Sequence, residues 1–438
     1  MIDLHVFKKA LNEKPVAVFG LGLSGLGSVG ALIAAGIDVI AWDDNAQARD
    51  KAAAMGAVCK NLDKDVLKQC AYLLLSPGVP LTHPAPHDVV KSANAAGIKI
   101  IGDIEILGRC DLPNKTIAIT GTNGKSTTTA LLTHTLNACG KSAVMGGNVG
   151  VPVLKMDMPK PDTIIVLEMS SYQIDLCPTF APDIAVLLNI TPDHIDRHGS
   201  FENYAAIKHR LLDNAKCAIN VSSLHASSEC VQSMDDTDKP CHDESLGGHV
   251  FPTLPGDHNK QNIIAVLNVC EALGVETVCA ITAIKTFPGL AHRQYLVREI
   301  GGVKYINDSK ATNAEAAAKA LSAYENIHWI LGGQAKDGGL KGLEPFMSRV
   351  KKAYLIGAAA QDFSRWLKKQ NVPHQICEVL DVAVKAAHDD AQIPVTRPPS
   401  TVHRSPSTVL LSPACASWDQ FKSFEHRGDT FVKLVEAL

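Results

Sequence analysis

The chain has 438 residues and 12 cysteines, yet no two of those cysteines form a C-x-x-C pair. Scattered thiols in a chain of this size are expected to be reduced and structural. No charge dominates either, since 42 Lys and Arg stand against 45 Asp and Glu for a net −3. The basic residues are dispersed, so no nucleic-acid partner is expected. The opening segment MIDLHVFKKALNEKP lacks the apolar core of a secretion signal, and no apolar run approaches the length of a membrane span. What these absences leave is a soluble globular protein, expected in the cytoplasm with no membrane partner. Its composition of 46% apolar and 20% charged residues is ordinary for that class.

The length predicts roughly three domains. KPVAVFGLGLSGLGSVGALIAAGIDVIAWDDN reads as strand, glycine turn, helix and strand, and the alternation continues through CAYLLLSPGVP and IKIIGDIEIL. A second alternation opens at KTIAITGTNGKS and runs through DTIIVLEMS, IAVLLNITPDH and the helix FENYAAIKHRLLDNA. A third opens near FPGLAHR, with QYLVREIGGVKYIND predicted as a hairpin turning on Gly301-Gly302. The expected architecture is therefore three consecutive α/β domains over 1–105, 106–288 and 289–438. The first and third read as Rossmann-like and the central one as P-loop ATPase-like. Residues 221–255 are expected to form variable strands and loops, and the proline-rich 393–407 stretch a surface loop.

The first turn, Gly20-Leu21-Gly22-Leu23-Ser24-Gly25, follows a strand and opens a helix, with Asp43 closing the next strand. Glycines there let backbone N–H groups approach a diphosphate, while Asp43 stands where a ribose hydroxyl would sit. A tight turn without a ligand is the bland alternative. The second turn, Gly121-Thr122-Asn123-Gly124-Lys125-Ser126-Thr127, lacks the first glycine of the general phosphate-loop pattern, which would fall at Ile119. Lys125 can still reach the terminal phosphates, and Ser126 or Thr127 can hold Mg²⁺. A hard cation also needs anionic oxygen, and Glu168 ends an apolar strand of the same sheet.

His194 and His198 are spaced i, i+4, but no Glu directly follows His194, so a zinc-peptidase pair is not expected. Of the two, His194 lies nearer the strand end. Cys230, Cys241 and His242 show no ligand spacing and are assigned to structure. Asp308, Lys310 and Thr312 crowd the turn into an alanine-rich helix. Ser417 and Gln420 fit a plain capping box.

Taken in order, these motifs resemble the Mur ligases across essentially the whole chain. The likeness rests on GLGLSG, LSPGVP, GTNGKST, GGNVG, EMSSYQ, NITPDHIDRH, GDHN, AHR, NDSKATN, LGGQAK and SPACASWDQFKSFEHRG. The tight G-x-x-G-K-S loop is that family's ordinary form, which accounts for the absent glycine. Within the family the chain looks most like the branch that adds D-glutamate to UDP-N-acetylmuramoyl-L-alanine. The resemblance implies ATP, two Mg²⁺ ions, an acyl-phosphate intermediate and a monomer.

Carried over by motif, Lys125, Glu168, His194 and Lys208 are implied as the catalytic group. Ser126, Glu168, His194 and Lys208 surround the metal, with Lys208 carbamylated. ATP is implied at Gly121–Thr127, Asn259, Arg293, Asp308 and Lys310. The UDP substrate is implied at Gly22, Leu23, Ser24, Asp43, Asp44, Ser76, Gly78 and Asn148, and D-glutamate at Thr312, Lys336, Ser417 and Phe424. From the residues alone Lys208 is an ordinary helix-surface lysine. The chain departs from the family at Ser24, at Asn45 and at Gln334, where Thr, Arg and an acidic residue are usual. Three units furnishing one site imply hinge closure. A nicotinamide-dependent oxidoreductase built on the first glycine turn would leave the Lys125 loop idle. A simple nucleotide switch would need no third ligand pocket.

Overall fold

The structure is a computed structural model that describes residues 2–222, 249–251, 253–254, 256–336, 338–392 and 406–438. Most of the expected 221–255 segment, Cys230, Cys241, His242 and nearly all of the expected 393–407 loop lie outside the described residues. Among the described residues, sixteen strands form three sheets. The first holds β1 (Val16–Phe19), β2 (Val39–Trp42), β3 (Val58–Cys59), β4 (Tyr72–Leu75) and β5 (Lys99–Ile101) in the order β3-β2-β1-β4-β5. Every pair is parallel, with Val16 to Phe19 set against Val39 to Trp42 on one side and Tyr72 to Leu75 on the other. Helices cover both faces, which is why β1 is apolar at every position and fully buried. Strand order reverses between β1 and β4, and a crevice at their carboxyl ends is where such sheets bind ligands.

The second sheet holds β6 (Thr116–Thr120), β7 (Ala143–Gly147), β8 (Ile164–Glu168), β9 (Ile184–Leu187) and β10 (Cys217–Asn220), all parallel, in the order β10-β9-β6-β8-β7. The third runs β11 (Tyr295–Ile300), β12 (Val303–Asn307), β16 (Thr408–Leu411), β13 (Ile327–Gly332), β14 (Val350–Ile356) and β15 (His374–Glu378) in spatial order. Only β11 is antiparallel, and it forms the expected hairpin with β12. Gly301 and Gly302 take φ of +58° and +80°, the left-handed pair that a two-residue hairpin demands.

Three sheets are present, but contacts gather the chain into two compact units. One contains residues 1–249 and 258–286, and the other 250–257 and 287–438. The first two sheets share one hydrophobic core, in which Val18, Val29 and Ile104 join Ala118, Leu167 and Ala185. A buried polar knot ties them as well. Glu105 accepts from Arg109 Nε at 3.1 Å and Nη2 at 2.9 Å, and from the Thr179 and Phe180 amides at 3.1 Å each. The Thr179 hydroxyl also donates to it. Arg109 in turn reaches the Tyr72 hydroxyl on β4 at 2.7 Å. No helix among the described residues is long and apolar enough to cross a membrane.

Glu105→Ala removes the carboxylate partner of a largely buried guanidinium and of the buried Phe180 amide, so the first unit should lose roughly 3 kcal/mol. A denaturant titration checks this, and a midpoint equal to that of the parent chain would contradict it.

Candidate active site

β6 delivers the chain into the turn Gly121–Gly124, and the helix Lys125–Ala138 follows at once. Gly124 sits at φ +86°, and a Cβ there would lie 2.3 Å from Asn262 Oδ1, so only glycine fits. The turn is held from its outer side. Thr122 N–H donates to Asn189 O at 2.9 Å, Asn123 N–H donates to Asn189 Oδ1 at 2.9 Å, and the Thr122 and Tyr204 hydroxyls lie 3.0 Å apart. The helix start adds its positive dipole end, which makes a seat for anionic oxygen. Lys125 Nζ folds back on the Gly121 and Thr122 carbonyls at 2.9 Å each. Ser126 is buried in the first turn and Thr127 half-buried beside it.

Glu168 ends β8, the strand paired with β6, and is 2% exposed. Its Oε1 accepts from Asn148 Nδ2 at 2.7 Å, while Oε2 is buried with no hydrogen-bond partner. A buried carboxylate oxygen without a donor is costly, and a hard cation satisfies it. The residues present therefore fit a divalent metal.

Lys208 overturns the surface reading, because it is 1% exposed on the inner face of the helix Phe201–Asp213. Its Nζ donates to Gly121 O at 2.9 Å and to Thr120 Oγ1 at 3.3 Å, and lies 4.8 Å from the Tyr204 ring centre. Burial, with the Lys125 charge nearby, pulls its amine down to about 7. A neutral amine is therefore available near physiological pH.

His194 is exposed, with a left-handed φ of +53°, and its ring packs 4.9 Å from that of Tyr172. His198 is buried instead, 2.9 Å from Ser171 Oγ through Nε2, and burial lowers it to about 4. His194 is the N-cap and His198 the last residue of one helical turn, and no metal-ligating cluster of His, Cys, Asp or Glu forms among the described residues. Asn259 is buried next to the loop, its Oδ1 accepting from Asn262 Nδ2 at 2.9 Å. Asn262 was missed in the sequence. It accepts from Thr128 Oγ1 at 3.1 Å, and its position three residues after Asn259 on one helix face is the signal that could have found it.

At the first sheet's crevice, Gly22 caps the helix Leu23–Ala34 and Leu23 is 73% exposed. Ser24 Oγ donates to the buried Asp103 at 3.2 Å. The Asp43 carboxylate turns inward, accepting from Leu21 N–H at 2.5 Å and Asn45 N–H at 2.8 Å. It holds the turn, and both oxygens are engaged there. Asp44 lies 3.4 Å from His87, and Asn45 caps the helix Ala46–Ala54. Ser76 Oγ donates to Gly20 O at 2.7 Å, while Gly78 O accepts from Arg197 at 3.0 Å. Asn148 lies on Glu168.

In the second unit, Asp308 is buried and pushed up to about 7 by desolvation, with Ser412 Oγ 2.8 Å from its Oδ2. Arg293 is half-buried nearby and adds a favourable charge. Lys310 Nζ stands 3.8 Å over the Phe424 ring. Thr312 follows in the same turn, its N–H donating to Lys310 O at 2.8 Å. A bridge between Gln334 and Ala416 sets the loop carrying exposed Lys336 beside buried Ser417. The expected capping box at Ser417 is absent. Ser423 caps the last helix instead, and Gln420 Nε2 donates to Glu378 O at 2.8 Å. The turn Ser417–Gln420 is closed through the Ser417 carbonyl, so the helix starts later than the pattern suggested.

Fold and loop together define an α/β protein of the P-loop class. The Mur ligase middle domain family matches residues 119–234, and the Mur ligase MurD-like N-terminal domain family matches 14–102. A UDP-N-acetylmuramoylalanine--D-glutamate ligase of Rhizobium meliloti (strain 1021) is 44% identical, covering 100% of this chain and 98% of its own. The enzyme of that name from Brucella abortus (strain 2308) is 44% identical over 98% and 97%. In fold the chain is similar to the UDP-N-acetylmuramate-alanine ligase MurC of Thermotoga maritima, with TM-score 0.57 at 17% identity over 97% and 99% of the two chains. The chain belongs to the Mur ligase family.

Lys208 at about 7 stands well below its ordinary 10.5. Between those values the unfolded chain holds the extra proton, so this group's stabilisation is complete above the unfolded pKa and lost as pH falls towards the folded one. Relative to Lys208→Met, the parent chain should therefore gain stability as pH rises from about 7 to about 9. Parallel denaturant titrations read this, and a difference that does not change with pH would contradict it.

Proposed function

We propose that the chain joins D-glutamate to UDP-N-acetylmuramoyl-L-alanine, converting ATP to ADP and phosphate, as a monomer in the cytoplasm. The observation that carries the reading is the convergence of Lys125, the half-satisfied Glu168 and the buried Lys208 at the ends of β6 and β8. In this reading the alanyl carboxylate attacks the γ-phosphate and ADP leaves, giving an acyl phosphate. The D-glutamate amine then attacks that carbonyl, and phosphate leaves.

Lys125 exchanges its loop carbonyls for phosphate oxygens and neutralises charge during phosphoryl transfer. The Gly121–Ser126 backbone and Thr127 seat the phosphates, with Asn259 on the nucleotide side. Ser126, Glu168 and Lys208 would hold Mg²⁺, and His194 flanks them. When bound, the metal supplies further neutralisation of the phosphates. The Lys208 amine adds to CO₂ with loss of one proton, which turns a buried base into an anionic oxygen ligand. Gly22, Leu23, Ser24, Ser76, Gly78 and the Asp43–Asp44 turn form the uridine diphosphate side, with Asn148 towards the sugar. Arg293, Asp308 and Lys310 are further nucleotide contacts in this reading. Thr312, Lys336, Ser417 and Phe424 position D-glutamate, and positioning two reactants is a large share of the rate for amide formation.

Phosphate release should require UDP-N-acetylmuramoyl-L-alanine and D-glutamate together, with L-glutamate inactive. Release that ignores either substrate would sink the proposal. Lys125→Ala should lower turnover by at least about 100-fold, since it leaves developing phosphoryl charge uncompensated. Near-normal turnover removes that role. Lys208→Ala should be inactive and partly restored by short carboxylic acids, whereas full activity without them takes Lys208 out of the metal site.

A further inference from the structure

The last helix, Phe424–Glu436, begins with a fully buried guanidinium. Arg427 is 1% exposed, and its hydrogen bonds run to neutral oxygens on two separate loops. Nε donates to Ser309 Oγ at 2.9 Å and Nη2 to Ser309 O at 2.8 Å. Nη1 and Nη2 both donate to Cys415 O, at 3.2 and 3.1 Å. Ser309 is the neighbour of Asp308 and Lys310, and Cys415 lies two residues before Ser417. The Ser309 hydroxyl passes the link on, donating to Phe424 O at 2.8 Å. A third loop closes against the same group, since a Cβ on Gly333 would lie 3.3 Å from Nη1 and 2.4 Å from Ala416 O.

A buried charge in this setting is unusual for a purely stabilising role. Burial holds the guanidinium down at about 10, yet it stays charged at neutral pH. A well-packed apolar side chain would fill the same volume without the desolvation cost. What an apolar side chain cannot do is bind two backbone segments at a defined separation. The planar fork supplies donors in fixed directions, and a lysine ammonium does not reproduce that geometry.

We propose that Arg427 is a positioning residue for the second unit's ligand site. It sets the Asp308–Thr312 turn against the Ser412–Ser417 turn, so that Lys310 and Ser417 are presented in one register. The inference rests on the reading of these residues as nucleotide and D-glutamate contacts. It also has a physical consequence that is independent of that reading. Without the fork the two turns lose their common tether, while the glycine turn of the first unit is untouched.

The test uses the full chain carrying Arg427→Lys, with Arg427→Met as a second variant of similar length. Backbone hydrogen exchange should accelerate about tenfold or more in peptides spanning 308–312 and 413–418, and stay unchanged at 20–25 and 121–127. The KM for D-glutamate should rise by about tenfold or more, with the KM for the UDP substrate within about twofold of the parent. Arg427→Met should exceed Arg427→Lys in both effects. Unchanged exchange at both turns overturns the inference, as does accelerated exchange spread evenly over the second unit. A D-glutamate KM that does not move in folded Arg427→Lys also overturns it. If the parent chain shows no D-glutamate-dependent turnover, the proposed function fails, and the exchange pattern alone still decides the role of Arg427.

Discussion

The donation from Lys208 Nζ to the Gly121 carbonyl, 2.9 Å long and sealed from water, is the contact on which the rest of the site depends. A buried ammonium whose hydrogen bonds run only to neutral oxygens would be expensive if it stayed charged. Burial resolves this by lowering the pKa to about 7, and the same burial fixes the amine beside the nucleotide loop. Across β6, Glu168 shows the complementary problem, a carboxylate oxygen with no donor. One group lacks a reason to carry its charge and the other lacks a partner for it. Under the proposed function, a divalent cation between a carbamylated Lys208 and Glu168 would answer both.

The parallel sheet puts these groups in reach. Thr120, Glu168 and Leu187 end adjacent strands, so everything after them emerges on one edge. The helix Phe201–Asp213 then packs back on that edge, carrying Tyr204 to Thr122 and Lys208 to Gly121, one helical turn apart. The second unit uses a different device. There the loops after β12 and β16 are held together by bonds to the last helix through Arg427 and Ser309, and the loop after β13 bridges to Ala416 in the β16 loop.

Much of this was legible in the sequence for definite reasons. Apolar runs of four to six residues between helical stretches mark buried parallel strands, and the paired glycines at 301 and 302 mark the hairpin. The nucleotide loop was legible because glycines, lysine and hydroxyls are consecutive. Lys208 was not, because burial is a tertiary property and FENYAAIKHRLLDN carries polar residues on more than one face. The second task of Asp43 was not legible either, since a strand-end carboxylate does not announce that it accepts from the Leu21 and Asn45 amides and so shapes the glycine turn. The Ser417 capping box failed because two residue types at the right spacing cannot reveal that the turn closes through a main-chain carbonyl. Arg427 looked like one basic residue among several in FKSFEHRGD.

The central claim is that a buried, neutral Lys208 becomes an anionic ligand by taking up CO₂. Carbon-13 NMR of the protein in ¹³C-bicarbonate addresses it without any substrate present. A carbamate resonance that appears in the parent chain and vanishes in Lys208→Ala is the predicted result. A spectrum with no such resonance in the parent chain, or one that persists in the variant, would contradict the account.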